Sequence, residues 1–83
     1  MYDTEEQKEI NSWDAQVSRK ILQEGQFHGV NPNSGKNFII EAEAYRADDS
    51  IDSFRGWWTD EPGIASYADT PFELWIDLLD SEP

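Results

Sequence analysis

Apolar residues recur along this chain with two different periods. Ile10, Trp13, Val17 and Ile21 fall three or four apart, the spacing that places side chains on one face of an α-helix. Ahead of them, "TEEQ" fits a capping box, with Thr4 as the cap and Gln7 reaching back to it. Gly25 supplies the left-handed conformation in which helices commonly end, so a helix is predicted over residues 4–24. Next, "QFHGV" leads into "NPNSGK", whose Asn, Pro, Ser and Gly residues mark a turn. In "NFIIEAEAYR", residues 37–46, the period falls to two. Phe38, Ile40, Ala42 and Ala44 alternate there with Ile39, Glu41, Glu43 and Tyr45. A β-hairpin over residues 26–46 is predicted, with Glu41 and Glu43 turned outward. The competing reading is a helix through "EAEAYRA", because Glu and Ala favour helices.

Helical spacing returns in "DDSIDSFRGWWTDEP", residues 48–62, where Ile51, Phe54 and Trp58 share a face and Asp49, Asp52 and Asp60 gather opposite. This predicts a helix near residues 50–59, capped by Asp48, Asp49 or Ser50. Trp58 then belongs to the core, and Trp57 lies at the boundary of the apolar face. "DEPG" breaks the helix, and "IASYAD" is an irregular connection or a short third strand. In "TPFE", Thr70 is a cap, Pro71 takes the first helical position and Glu73 completes a capping box. A last helix over residues 71–81 follows, burying Phe72, Trp75, Ile76 and Leu79 and exposing Glu73, Asp77 and Asp80 in a line. The fold class is α+β in a single domain over residues 1–83. It comprises an N-terminal helix, a hairpin with or without a third strand, and two C-terminal helices, with Trp13, Trp58 and Trp75 buried.

A chain of 83 residues buries only about 60% of the surface its unfolded form exposes. Its four Trp, four Phe and three Tyr must therefore supply the core. Cysteine is absent, which excludes disulfides and thiolate metal sites and suits a reducing compartment. "MYDTEEQKEI" lacks the pattern of a secretory leader, and no apolar run is long enough to cross a bilayer. The expectation is a cytoplasmic protein without membrane contact.

Charge changes the picture most. Eighteen acidic residues against six basic ones give a net charge of −12. Residues 1–40 hold six acids and four bases, while residues 41–83 hold twelve acids and only Arg46 and Arg55. Such crowding opposes compaction. In the last helix, Asp77, Asp80 and Glu82 also sit at the C-terminal end, where negative charge opposes the macrodipole. Solubility alone is the plainer explanation of an acidic surface. The repeated separation of an aromatic face from an acidic face favours a role in binding.

Catalysis has little to work with. Paired carboxylates need a cleft that separates their pKa values, "DDSID" lacks the calcium-loop pattern, and His28 is the only histidine. His28 reads as an ordinary strand residue, and no glycine loop for phosphates is present. The chain is expected to be neither an enzyme nor the holder of a cofactor or metal. Direct nucleic-acid binding is equally disfavoured, since phosphates would meet a field of their own sign. The expected partner is a basic DNA-binding protein or nuclease complex. Glu41, Glu43, Asp48, Asp49, Asp52, Asp60, Glu73, Asp77 and Asp80 are the candidate contacts, with Trp57 as an apolar anchor.

In size, acidity, aromatic content and lack of cysteine, the chain resembles the small phage and plasmid inhibitors that imitate DNA: the anti-CRISPR proteins and, more loosely, the anti-restriction proteins. "GWWTDEPGIASYADTPFELWIDLLDSE" is similar in outline to a segment of the ArdA type of anti-restriction protein, in which G-x-W-x-D precedes an acidic helix. The resemblance lies in size, charge and composition, and carries over no functional residue. It implies stoichiometric inhibition of a CRISPR effector or restriction-type nuclease by blocking its DNA site, in the host cytoplasm for a phage-encoded chain. Two other classes fit the same composition: a small acidic immunity protein or antitoxin that neutralises a basic toxin, and a viral structural or adaptor protein.

Overall fold

The structure, a computed structural model, describes residues 4–83. Helix α1 spans Thr4–Glu24 and is followed by strands β1 (Phe27–Val30), β2 (Asn37–Tyr45), β3 (Ile51–Trp58) and β4 (Ser66–Ala68), then by helix α2 (Pro71–Asp80). The strands form one antiparallel sheet in the order β1-β2-β3-β4. Both helices pack on the same face, α1 over β1 and β2 and α2 over β3 and β4, and they also touch each other. The architecture is α+β in two layers, and among the described residues the other face of the sheet carries no helix. No helix among the described residues is long and apolar enough to cross a membrane.

Local chemistry accounts for several element boundaries. Gly25, at φ 89°, closes α1 through its N–H to the Ile21 carbonyl. The β1–β2 loop is the six-residue turn read from "NPNSGK". Asn31 anchors it, accepting the Asn33 N–H on its side chain and donating from Nδ2 to Glu82 Oε2 at 2.8 Å. Thr70 caps α2 by accepting the Glu73 N–H, with Pro71 in the first turn. At the start of α1, Thr4 lies within the helix, and the Gln7 amide donates forward to Asn11 Oδ1. The hydrogen bonding of the expected capping box is replaced there by a contact along the helix.

The expected helix over residues 50–59 is strand β3, and the reason lies in its pairing. Ala42 faces Phe54, Ala44 faces Ser53 and Tyr45 faces Ile51. β2 thus carries an extra residue at Glu43 and β3 an extra one at Asp52, two successive β-bulges. They shift the alternation by one position, so Ile51 and Phe54 both reach the core although they are three residues apart. Beyond Phe54 the period of two resumes with Gly56 and Trp58 buried. Gly56 has no side chain to reveal that alternation, and what remains visible is Ile51, Phe54 and Trp58, the spacing of a helix face. Glycine permits close packing at this position. A Cβ would lie 3.0 Å from Leu74 Cδ2 and 3.1 Å from the Ile39 carbonyl oxygen.

The core joins Val17 and Ile21 of α1 and Leu74 and Leu78 of α2 to Phe38, Ile40, Ile51, Phe54 and Trp58 of the sheet. Trp58, 3% exposed, donates its indole N–H to the Leu78 carbonyl at 2.7 Å. Trp13 and Trp75, expected to be buried, are half-buried and pack against the edge of this cluster. On α2 the deeply buried residues are Pro71, Leu74 and Leu78, while Ile76 and Leu79 are exposed and Phe72 and Trp75 half-buried. Seven of the ten residues in "PFELWIDLLD" are apolar, so their pattern leaves the inward face undetermined and contact with β3 and β4 selects it. Asp14 links the helices by accepting the Phe72 N–H at 2.9 Å, at the start of α2.

Candidate functional site

Because β2 and β3 alternate, the residues between the core positions form the bare face of the sheet. Ile39 pairs with Trp57, and Glu41, Arg55 and Tyr67 stand in one row across β2, β3 and β4. Arg55 donates to Glu41, which also receives the Gln26 amide at 3.2 Å, and the guanidinium lies 5.6 Å from the centre of the Trp57 ring. Burial by itself would raise the Glu41 pKa. The hydrogen bonds from Arg55 and Gln26 and the charge of the guanidinium outweigh it, and hold the carboxyl below its usual range. Glu43 is exposed, and its charge also acts on Arg55. Glu41 and Glu43 therefore face a cation, and this sheet surface is mixed in charge with Trp57 half-exposed on it.

Asp48 and Asp49 occupy the β2–β3 turn. Asp48 accepts the side-chain hydroxyl and the backbone N–H of Ser50, which hold its carboxyl below the usual range. Asp49 adopts φ 69°, a left-handed conformation that aspartate tolerates better than most residues. Asp52 pairs with Arg46 at 3.4 Å, and Asp60 pairs with Lys36 at 3.5 Å. The expected grouping of Asp49, Asp52 and Asp60 on one helix face does not form, because Asp49 lies in the turn before β3, Asp52 near the start of this extended strand and Asp60 in the turn after it. These acids have local explanations in turn geometry and ion pairing.

The acids of α2 do not. Glu73, Asp77 and Asp80 are exposed on the side of α2 away from Leu74 and Leu78, and none forms an ion pair among the described residues. Asp69, just before the cap, joins Glu73 and Asp77 around a shallow depression of about 460 Å³ that Tyr67 and Ile76 also line. With a helical rise of 1.5 Å per residue, the three helix carboxylates span about 10 Å of axis, roughly one every 5 Å. Of the six basic residues, Lys20, Lys36, Arg46 and Arg55 are engaged with Glu24, Asp60, Asp52 and Glu41. The last turn of α2 carries no basic residue to balance its dipole.

The fold brings together the three α2 acids of the sequence reading, and adds Asp69 and Tyr67 to them. Asp69 was legible only as the residue before a cap, and Tyr67 only if "SYA" is taken as a strand. No group of three or more His, Asp or Glu side chains among the described residues is arranged to hold a metal ion. Compared with protein-family models, curated proteins and solved structures, the chain finds no match.

Proposed function

We propose that the chain is a stoichiometric protein inhibitor whose α2 face occupies a cation-lined, DNA-binding surface on a basic partner, of the CRISPR-effector or restriction-nuclease kind. The observation that carries this reading is the row Glu73, Asp77 and Asp80, exposed and without a cation among the described residues. Placing negative charge on the last turn of a helix costs about 0.3 to 1 kcal/mol per charge, so the fold gains nothing from Asp77 and Asp80. One strand of duplex DNA carries a charge about every 3.4 Å of axis. The α2 row is sparser but of the same order, and Asp69 extends it toward β4. A surface of this kind competes for sites shaped to receive phosphates. Trp57, on the bare sheet face, is a separate candidate anchor, since interface hot spots are enriched in tryptophan.

The test is capture of partners from host lysate with the wild-type chain and with the triple variant Glu73→Gln, Asp77→Asn, Asp80→Asn. The expected result is a basic nucleic-acid-binding protein that the wild type retains, that duplex DNA and added salt release, and that the variant fails to hold. Partners that are neither basic nor DNA-binding, or that the triple variant holds equally well, would overturn the proposal. An immunity-type inhibitor would give salt-sensitive capture that duplex DNA does not reverse.

A further inference from the structure

A second concavity lies on the helix side of the molecule, between α1, α2 and the β1–β2 loop. It is an apolar cleft of about 370 Å³, lined mainly by Ile10, Trp13, Phe38, Phe72 and Trp75, with Glu9 among the residues at its edge. Trp75 meets Phe38 obliquely with ring centres 5.0 Å apart, and Trp13 meets Phe27 edge to face at 6.0 Å. Both indoles remain half-exposed after this packing. Glu9 is exposed and forms no ion pair among the described residues.

An occupant that is only apolar would match the rings but would strip water from Glu9 without compensation. An occupant that is only a compact, strongly hydrated ion would leave the rings unused. What satisfies both is a cation with a flat, weakly hydrated head on an aliphatic stem. A guanidinium stacks on indole faces and presents a fork of N–H donors to a carboxylate. The net charge of −12 adds a field that attracts such a group.

We infer that this cleft receives an arginine side chain from the basic partner, its guanidinium against Trp13 and Trp75 and hydrogen-bonded to Glu9. The inference rests on the proposed function for the origin of the arginine, but the cleft can be tested without the partner. The probe is a capped Gly-Arg-Gly peptide, titrated into the isotopically labelled full chain while the indole N–H resonances are followed. Trp13 and Trp75 are expected to shift and saturate, with Trp57, on the opposite face of the sheet, as the internal control. The peptide with citrulline, a neutral isostere of arginine, should bind much more weakly, and so should the one with lysine. Glu9→Gln, an exposed substitution within α1, should weaken the arginine peptide by about threefold to fivefold, the range of an ion pair at a solvent edge. Citrulline or lysine binding equal to arginine, an unchanged affinity in Glu9→Gln, or parallel shifts at Trp57 would each overturn the inference. Neutralising Glu73, Asp77 and Asp80 should leave the peptide on the cleft, so failure of the α2 reading and failure of the arginine site give different results.

Discussion

Trp57 and Trp58 are neighbours in the chain and stand on opposite faces of β3: Trp58 in the core against α2, Trp57 on the bare side beside Arg55. Trp58→Ala should cost about 3 to 5 kcal/mol, as for other buried aromatic truncations. Trp58→Phe retains most of the volume but removes one donor from the Leu78 carbonyl, which still accepts from Ser81, a loss of about 0.5 to 1.5 kcal/mol. Trp57→Ala should cost about 1 kcal/mol or less, as for substitutions outside the core. Urea denaturation of the three variants checks the order, and equal losses for Trp57→Ala and Trp58→Ala would make the pair a single core unit.

Gly56 lets Leu74 approach the sheet. Gly56→Ala places a methyl group against the Leu74 side chain and the Ile39 carbonyl, and should destabilise by about 1 to 3 kcal/mol through overpacking. Gly63→Ala, where an added Cβ meets nothing within 4 Å, is the control and should be nearly neutral. The difference between their urea midpoints measures the closeness of the α2–β3 contact.

Two carboxylates should make opposite contributions to acid stability. Burial raises the Asp14 pKa above 3.8, with the Phe72 N–H partly offsetting it and the charge of Glu73 adding to it. The folded chain therefore binds this proton more tightly than the unfolded one. The resulting penalty is present at neutral pH and is relieved as pH falls through the raised folded value toward 3.8. Glu41 is held below 4.5, so its contribution is favourable above that value and is lost as pH falls through the folded pKa. Asp14→Asn should accordingly be stabilising at neutral pH and lose its advantage on acidification. Glu41→Gln should be destabilising at neutral pH and converge on the wild type in acid. Unfolding curves collected from neutral to strongly acidic pH decide both signs.

Charge reversal on the last turns of α2 should improve the fold and damage the proposed activity. Asp77→Lys and Asp80→Lys each complement the helix dipole and should each add about 0.3 to 1 kcal/mol. Melting temperature and partner capture, measured on the same proteins, should move in opposite directions. A parallel fall in both would show that these acids support the fold.

The limits of the sequence reading trace to particular residues. α1, the "NPNSGK" turn, β2 and the start of α2 were visible because each combines a clean period with its own turn or cap chemistry. β3 was hidden by two bulges and by Gly56, which left a helix-like remnant in Ile51, Phe54 and Trp58. The acidic face expected on that helix disperses with it, since Asp52 lies near the start of β3 and Asp60 in the turn beyond its end. The pairing of Glu41 with Arg55 depends on strand register, and register is decided by contacts between strands that no single segment contains.

The lengths of the strands bear on how the molecule behaves when its charge is removed. The inner strands β2 and β3 have nine and eight residues, and the outer strands β1 and β4 only four and three. A long, flat outer strand is a template for ladder growth between molecules, and short ones are a poor template. By its composition the chain reaches zero net charge near pH 4.1, and mutual repulsion between copies is weakest around that pH. Contact between copies should then run through the bare sheet face, producing an amorphous precipitate. It should redissolve on neutralisation and bind no fibril dye.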